Sequence, residues 1–502
     1  MESVKVEILI LGAGFAGSLT ALGCRRLGRD VMVLDRAKHP RFAIGESSTP
    51  VANRVLHDLA VRYDLPRLLP LVKYGPWRRT YPEIGLGLKR GFSYFKHHPG
   101  RAFAPHPAHE NELLVAASSD DETSDTQWVR ADVDQFLARE AQGEGVPVWE
   151  EATVESCEPL LGGGWRLRGR RLSEPFEIET QFLVDGTGEA TLLGRSLGIP
   201  SMVNSLQTRS RSLFSHFRHV ASWTQWLRSH DAAVQDHPFD GDDAAQHMLL
   251  DGAWMWVLRF DTGVASIGLA IDEVRHPLDE SLSPEDEWRQ WLRRYPSVGE
   301  LLSDAEIVAP PGRMVRTGRI QRCMAQAAGE HWVALPHTAG FIDPLHSTGI
   351  AHSLCGVERL LAAIGDSWGT HEFPTRLTAY GQSVLREVRL IDLLVAGCYR
   401  CLGRFRLFVA WSMLYFAAAT TYELRRASDG YDPRHEFLNA SDAKLVGIVA
   451  QLFDELQRVS STADDEQAFV ARVARLLEPY NHVGLFDPAA RNMYRHTAAP
   501  EL

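Results

Sequence analysis

Three short stretches hold residues whose types and spacing could do chemistry. Residues 341–350, FIDPLHSTGI, place an acid, Asp343, and an imidazole, His346, just ahead of Ser347, Thr348, Gly349 and Ile350. A Ser-Thr-Gly turn entering helix-like sequence offers successive backbone amides to an anion, and the helix dipole adds to the attraction. Residues 12–17, Gly-Ala-Gly-Phe-Ala-Gly, follow an apolar run and precede another helix-compatible segment. Lys89 lies between Leu88 and Arg90, next to the aromatic stretch Phe92-Ser-Tyr-Phe95. An amine in an apolar setting loses solvation and becomes available for proton or atom transfer. Taken alone, Lys89 reads equally as a surface lysine lying over apolar strand residues.

These groups need elements to hold them. Val6–Leu11 reads as a buried strand, Gly12–Gly17 as the turn, the sequence through Leu27 as a helix, and Asp30–Leu34 as a second strand ending in Asp35 and Arg36. A GxGxxG between strand and helix, with an acid after the second strand, is a dinucleotide fingerprint. Gly12 permits the turn, Gly14 admits a pyrophosphate past Ala13, Phe15 and Ala16, and Gly17 lets helix and strand approach. Asp35 suits ribose hydroxyls and repels a 2′-phosphate. Further on, Gln181–Gly188 is a strand ending in Asp185-Gly186-Thr-Gly, and residues 331–344 form a third such unit.

In this order the three units resemble FAD flavoproteins of the para-hydroxybenzoate hydroxylase type across roughly the first 360 residues. The segment Gly45-Glu46-Ser47-Ser48-Thr49-Pro50 narrows the resemblance to the flavin-dependent halogenases, in the branch similar to tryptophan halogenases. Trp254-Met-Trp256-Val-Leu258 resembles that family's WxWxIP motif, with Leu258 and Arg259 in place of Ile and Pro. The turn 341–350 is similar to the family's, with His346 replacing an acid. Pro336-His337 stands where the superfamily often has Gly-Asp.

The resemblance implies FADH2- and O2-dependent halogenation of a small, electron-rich aromatic of phenol, pyrrole or indole type. A flavin hydroperoxide would be attacked by chloride or bromide held at Thr348 and Gly349. Hypohalous acid would then pass to Lys89, and His346 would take the proton of a phenol. FAD contacts are implied for residues 12–17, Asp35, Arg36, Glu46, Ser47, Arg130, Asp185, Gly186, Asp343, Gly349 and Ile350. Trp254, Trp256 and His346 would line the substrate pocket. A separate flavin reductase and a substrate free or tethered to a carrier protein are the implied partners. A monooxygenase or dehydrogenase using NAD(P)H without halide shares the core, as would a flavoprotein serving only as a scaffold.

The implied fold is α/β: a Rossmann-type FAD core over 1–204 and 305–360, an antiparallel substrate-side sheet over 205–304, and a helical region over 361–502. The last contains candidate helices 375–397, 405–425, 441–459 and 465–477. With 64 Asp and Glu against 53 Lys and Arg, the net charge of −11 argues against nucleic acid or an anionic membrane as partner. The apolar run 407–420 is too short for a membrane span and reads as a buried helix. Six irregularly spaced cysteines and the absence of a signal-like N-terminus indicate a cytoplasmic chain. Cys398 and Cys401 read as core residues, and no metal site is read from the sequence.

Overall fold

A computed structural model describes residues 2–497. The strand Glu2–Leu11 lies at the centre of an eight-stranded sheet, pairing in parallel with Val31–Leu34 on one side and Glu174–Asp185 on the other. Its apolar residues Ile8–Leu11 are buried on both faces, as a parallel strand under helices requires. Leu11 stands opposite both Leu34 and Asp185, so Gly12, Asp35 and Gly186 emerge side by side at the carboxyl ends. A ligand crevice forms at such an edge in α/β sheets.

The second sheet has nine strands and extends beyond residues 205–304. Besides 210–218, 245–250, 253–259 and 265–272, it includes Gly91–Lys96, Glu112–Ala116, Glu306–Ala309, Val315–Arg319 and the C-terminal Met493–Tyr494. The extra strands join by pairing across long sequence gaps, as where Gly91–Lys96 runs parallel to Ala245–Leu250. No local periodicity carries that information. Asp261-Thr-Gly263 makes the expected hairpin turn, with Gly263 at a φ of 76°. A two-stranded ribbon, Leu86–Lys89 against Asp125–Trp128, lies apart from both sheets.

The helical region consists of Phe373–Cys401, Phe405–Asp429, Ala443–Leu456 and Ala463–Leu477, preceded by the 20-residue helix Thr348–Ser367. Asp442 caps the third of the four by accepting from the Lys444 and Leu445 amides. Phe405–Asp429 is apolar around most of its circumference and correspondingly buried, with Leu407, Phe408, Trp411, Met413 and Leu414 all at or near zero exposure. No helix among the described residues is long and apolar enough to cross a membrane. Arg426 fastens this helix to two others, reaching Glu358 at 2.6 Å and Asp58 at 2.8 Å. Cys398 and Cys401 are buried free thiols.

Candidate active site

Gly12 has a φ of 98°, and a Cβ there would come within 2.5 Å of the Gly186 carbonyl oxygen. At Gly17 a Cβ would be 2.0 Å from the Gly12 oxygen, so both positions exclude any side chain. Gly14 is different. Its Cβ would have ordinary clearance, facing Arg41, Asp134 and Arg130 at 3.5–3.8 Å. The helix beginning at Phe15 is capped from outside: the Phe15 amide donates to Asp134 Oδ1 at 3.1 Å. Arg130 grips Asp134 through Nε and Nη2 and donates from Nη1 to the carbonyls of Ile44 and Gly45. An acid already holds the anion seat at this helix start, flanked by two arginines. The open Gly14, with Arg41 and Arg130 beside it, could receive a pyrophosphate at this helix start, next to Asp134.

Asp35 accepts from the Ala13 and Ala37 amides at 2.8 Å each and lies 3.6 Å from Arg41, with exposed Arg36 beside it. Each carboxylate oxygen retains a lone pair for a ribose hydroxyl. Asp185 serves the chain itself. Fully buried, it accepts from the amides of Thr187 and Leu193 and from the Thr187 hydroxyl. Glu46 is likewise engaged, its carboxylate 2.7 Å from His216 Nε2. Gly186 contributes by packing under Gly12.

The turn 341–350 is held from several sides. Asp343, 2% exposed, accepts from the Ser210 hydroxyl, the Tyr399 hydroxyl and the Leu345 amide. Trp254 extends the chain by donating from Nε1 to the Tyr399 oxygen at 3.2 Å. Burial pushes the Asp343 carboxyl up to about 6, and these donors oppose the shift. Ser347 adopts a φ of 53° and opens the helix Thr348–Ser367. Nothing lies within 4 Å of the place a Cβ would occupy on Gly349. A small cavity lies beside Thr348 and Gly349, lined also by Gly340, Ile342, His352 and Val388. Ile350 is buried in the helix.

Lys89 is fully buried in the two-stranded ribbon, directly opposite Asp125. Its Nζ donates to the Ser48 carbonyl and lies 4.2 Å from the centre of the Phe92 ring. Burial pulls its pKa down to about 8, against the opposing pull of Asp125. Burial likewise raises Asp125 to about 6, with Lys89 and Lys73 resisting. Asn53 donates to one Asp125 oxygen at 2.7 Å, while the other has no hydrogen-bond partner. The surface-lysine reading is excluded.

Phe92 also belongs to a buried aromatic cluster between the second sheet and the helix Phe405–Asp429. Its ring meets Tyr415 at 6.1 Å and Phe416 at 5.6 Å. Tyr94 stacks on His247 at 4.4 Å, and His346 stacks on Tyr415 at 4.4 Å with planes 5° apart. His346 Nε2 lies 3.4 Å from Cys398 Sγ, while Nδ1 is buried without a partner. Burial depresses both imidazoles to about 3, so both are neutral. Trp254 joins this cluster, 5.2 Å from His247. Trp256, two residues on and on the same face, turns towards Phe214 and bonds Ser266 instead.

Adjacent residues of the Gly45–Pro50 segment tie the pieces together. Ser47 Oγ is 3.0 Å from Ser347 Oγ in the anion turn, and the Ser48 carbonyl holds Lys89. Asp125, Asn53, His247, Tyr399 and Tyr415 were invisible as site residues in the sequence. Only strand pairing and helix packing bring them here, and no local motif marks them.

Residues 10–74 match the family model described as an NAD(P)-binding Rossmann-like domain. Tetracycline 7-halogenase of Kitasatospora aureofaciens is 27% identical over 405 residues, covering 77% of this chain and 68% of that protein. The monodechloroaminopyrrolnitrin halogenase PrnC of Pseudomonas fluorescens is 25% identical, covering 82% and 71%. The chain is a relative of the flavin-dependent halogenases. The relationship supports flavin-dependent halogenation as the reaction class of this halogenase relative, an oxidoreductase chemistry. The crystal structure of halogenase PltM with phloroglucinol and FAD superposes with a TM-score of 0.84 at 22% identity, covering 97% of this chain and 99% of that one. The expected α/β fold with its helical C-terminal region is thereby supported.

Proposed function

We propose that this halogenase relative uses FADH2 and O2 to halogenate a phenol-type aromatic, with halide held at Thr348 and Gly349 and hypohalous acid received by Lys89. The observation that carries the reading is the Ser47–Ser48 link, which ties a buried amine and the turn beside the small cavity at Thr348 and Gly349 to one segment. When bound, reduced FAD together with O2 supplies the two-electron oxidation that converts halide to hypohalous acid. The remaining tasks fall to the chain. Gly14, Arg41 and Arg130 receive the pyrophosphate, and Asp35 the ribose.

The open space over Gly349, the first-turn amides and the Thr348 side chain suit a bare halide, because the amides at a helix start and the dipole favour negative charge. Lys89, largely an ammonium at neutral pH, donates a hydrogen bond to the oxygen of hypohalous acid and polarises the O–halogen bond. Asp125 keeps that ammonium charged in a setting that disfavours it. Transfer of the halogen to the ring forms the C–halogen bond and breaks the O–halogen bond. The ring proton leaves with the hydroxide as water.

His346 differs from the expectation of a proton-taking base. Forming an imidazolium in this buried place is unfavourable by several kcal/mol, given the depression of its pKa from 6.5 to about 3. With Nε2–H turned to Cys398 Sγ, Nδ1 is left as a hydrogen-bond acceptor. It can orient and polarise a phenol O–H without full transfer. FADH2 is supplied by a separate reductase, consistent with a single glycine-loop fingerprint in the chain.

A coupled assay tests the reading: FAD, a flavin reductase, NADH, bromide or chloride, and a phenol panel in air, with halogenated products followed by mass. Oxygenated products that form without halide and persist in Lys89→Ala would overturn it.

A further inference from the structure

On the far edge of the second sheet, two stretches of chain bring together side chains that the halogenation site does not use. His109 precedes the strand Glu112–Ala116, Glu112 opens it, and His237 follows the short turn Val234–Asp236. The three side chains are 0%, 2% and 3% exposed. One ligand atom from each lies within 4.8 Å of the others. His109 Nδ1 is 2.5 Å from Glu112 Oε1, and His237 Nε2 is 3.5 Å from Glu112 Oε2.

Hydrogen bonding within the protein leaves this cluster incomplete. Neither nitrogen of His237 has a hydrogen-bond partner, and neither does Glu112 Oε2. Orphaned buried groups of this kind cost roughly 1–3 kcal/mol each and are rare without an unseen partner. Neutral His237 has one bare ring nitrogen, and together with the free lone pairs of Glu112 Oε2 it offers a cation two converging acceptors.

The surroundings fit a metal as well. Asp236 Oδ2 lies 3.2 Å from His109 Nε2, the nitrogen facing away from Glu112. A carboxylate accepting from the far nitrogen of a histidine is the arrangement that orients metal-bound imidazoles and raises their basicity. Arg491 fixes that carboxylate at 3.0 Å, and Asn492 donates to the His109 carbonyl at 2.8 Å. His109 has a φ of 55°, a backbone state uncommon for a side-chain-bearing residue and here held by its neighbours.

We propose that His109, Glu112 and His237 bind a divalent zinc-class cation, with water in the fourth position and Asp236 supporting His109. Two imidazoles and a carboxylate suit such an ion, whose ligand atoms stand about 3.4 Å apart when bond lengths are near 2.1 Å. Side-chain rotations that lengthen the 2.5 Å contact between His109 Nδ1 and Glu112 and close the remaining gaps, none wider than 4.8 Å, reach this spacing. The role is structural. The ion clips the segment leading into Glu112–Ala116 to the 234–237 turn and, through Asp236 and Asn492, to the chain's C-terminal strand. His237 stands far in sequence from the His109–Glu112 pair, so no complete spaced motif announces the three together.

The test uses the full-length protein without a polyhistidine tag, stripped with chelator and then given zinc or cobalt. Elemental analysis after gel filtration should find one zinc per chain, and cobalt should give the visible bands of a four-coordinate site. Chelation should lower the Tm, and added zinc should restore it. In His237→Gln and Glu112→Gln, both chosen to keep side-chain volume, affinity should fall about tenfold or more and the chelator effect on Tm should vanish. No metal retained by the folded wild-type protein, or equal retention by His237→Gln, would overturn the proposal.

Discussion

At the scale of single residues, the account turns on Lys89 and the groups that set its charge. Lys89→Ala removes the one cation facing Phe92 and the Ser48 carbonyl, and the halogenation rate is predicted to fall by about 10²-fold or more while FAD binding is kept. The pH dependence carries a sign. Burial lowers the Lys89 pKa to about 8, so the ammonium is lost as pH rises through that value, and the rate should fall along with it. Asp125 is the group that raises this pKa. Asp125→Asn should therefore move the falling limb to lower pH, which a single-turnover pH–rate profile measures directly. The sequence singled out Lys89 and His346 through their motif neighbours. It could not single out Asp125, which becomes a partner only because Leu86–Lys89 and Asp125–Trp128 pair antiparallel. Nor could it show that the Glu46 and Asp185 carboxylates serve His216 and a turn.

At the scale of elements, the two glycine turns make opposite predictions. Gly12→Ala places a methyl 2.5 Å from the Gly186 oxygen at a φ of 98°. It should cost at least ~1–3 kcal/mol of stability and abolish FAD retention, seen as a lower Tm and loss of flavin on gel filtration. Gly349→Ala meets nothing within 4 Å and sits in a helical first turn, where alanine is the better helix former. Its Tm should hold or rise slightly, yet its KM for halide should increase several-fold, because the methyl occupies the space assigned to the anion. An unchanged halide KM in this variant would remove Gly349 from the halide site. Both turns were legible because glycine, a capping position and a following helix are local signals. The ordering of the second sheet was not: its strands 91–96, 112–116 and 493–494 are recruited from outside the middle of the chain.

At the scale of the whole molecule, the helices after residue 348 complete the aromatic cluster over the sheet, with Tyr415 and Cys398 packed against His346. Their existence was readable from apolar periodicity. Their contribution to the site was not, because it depends on how Phe405–Asp429 packs across Phe92 and Tyr94. The division of labour is also a property of the whole chain. If reduced flavin arrives from outside, photoreduced FAD should sustain turnover with neither reductase nor NADH present. The central claim, that a buried lysine and a halide turn on one segment perform halogenation, is tested most directly by product mass in the reductase-coupled assay with bromide, wild type beside Lys89→Ala. The account predicts a bromine isotope pattern on a phenolic product from the wild type and its loss in the variant. A brominated product formed equally by Lys89→Ala, or oxygenation without halide in both proteins, would contradict it.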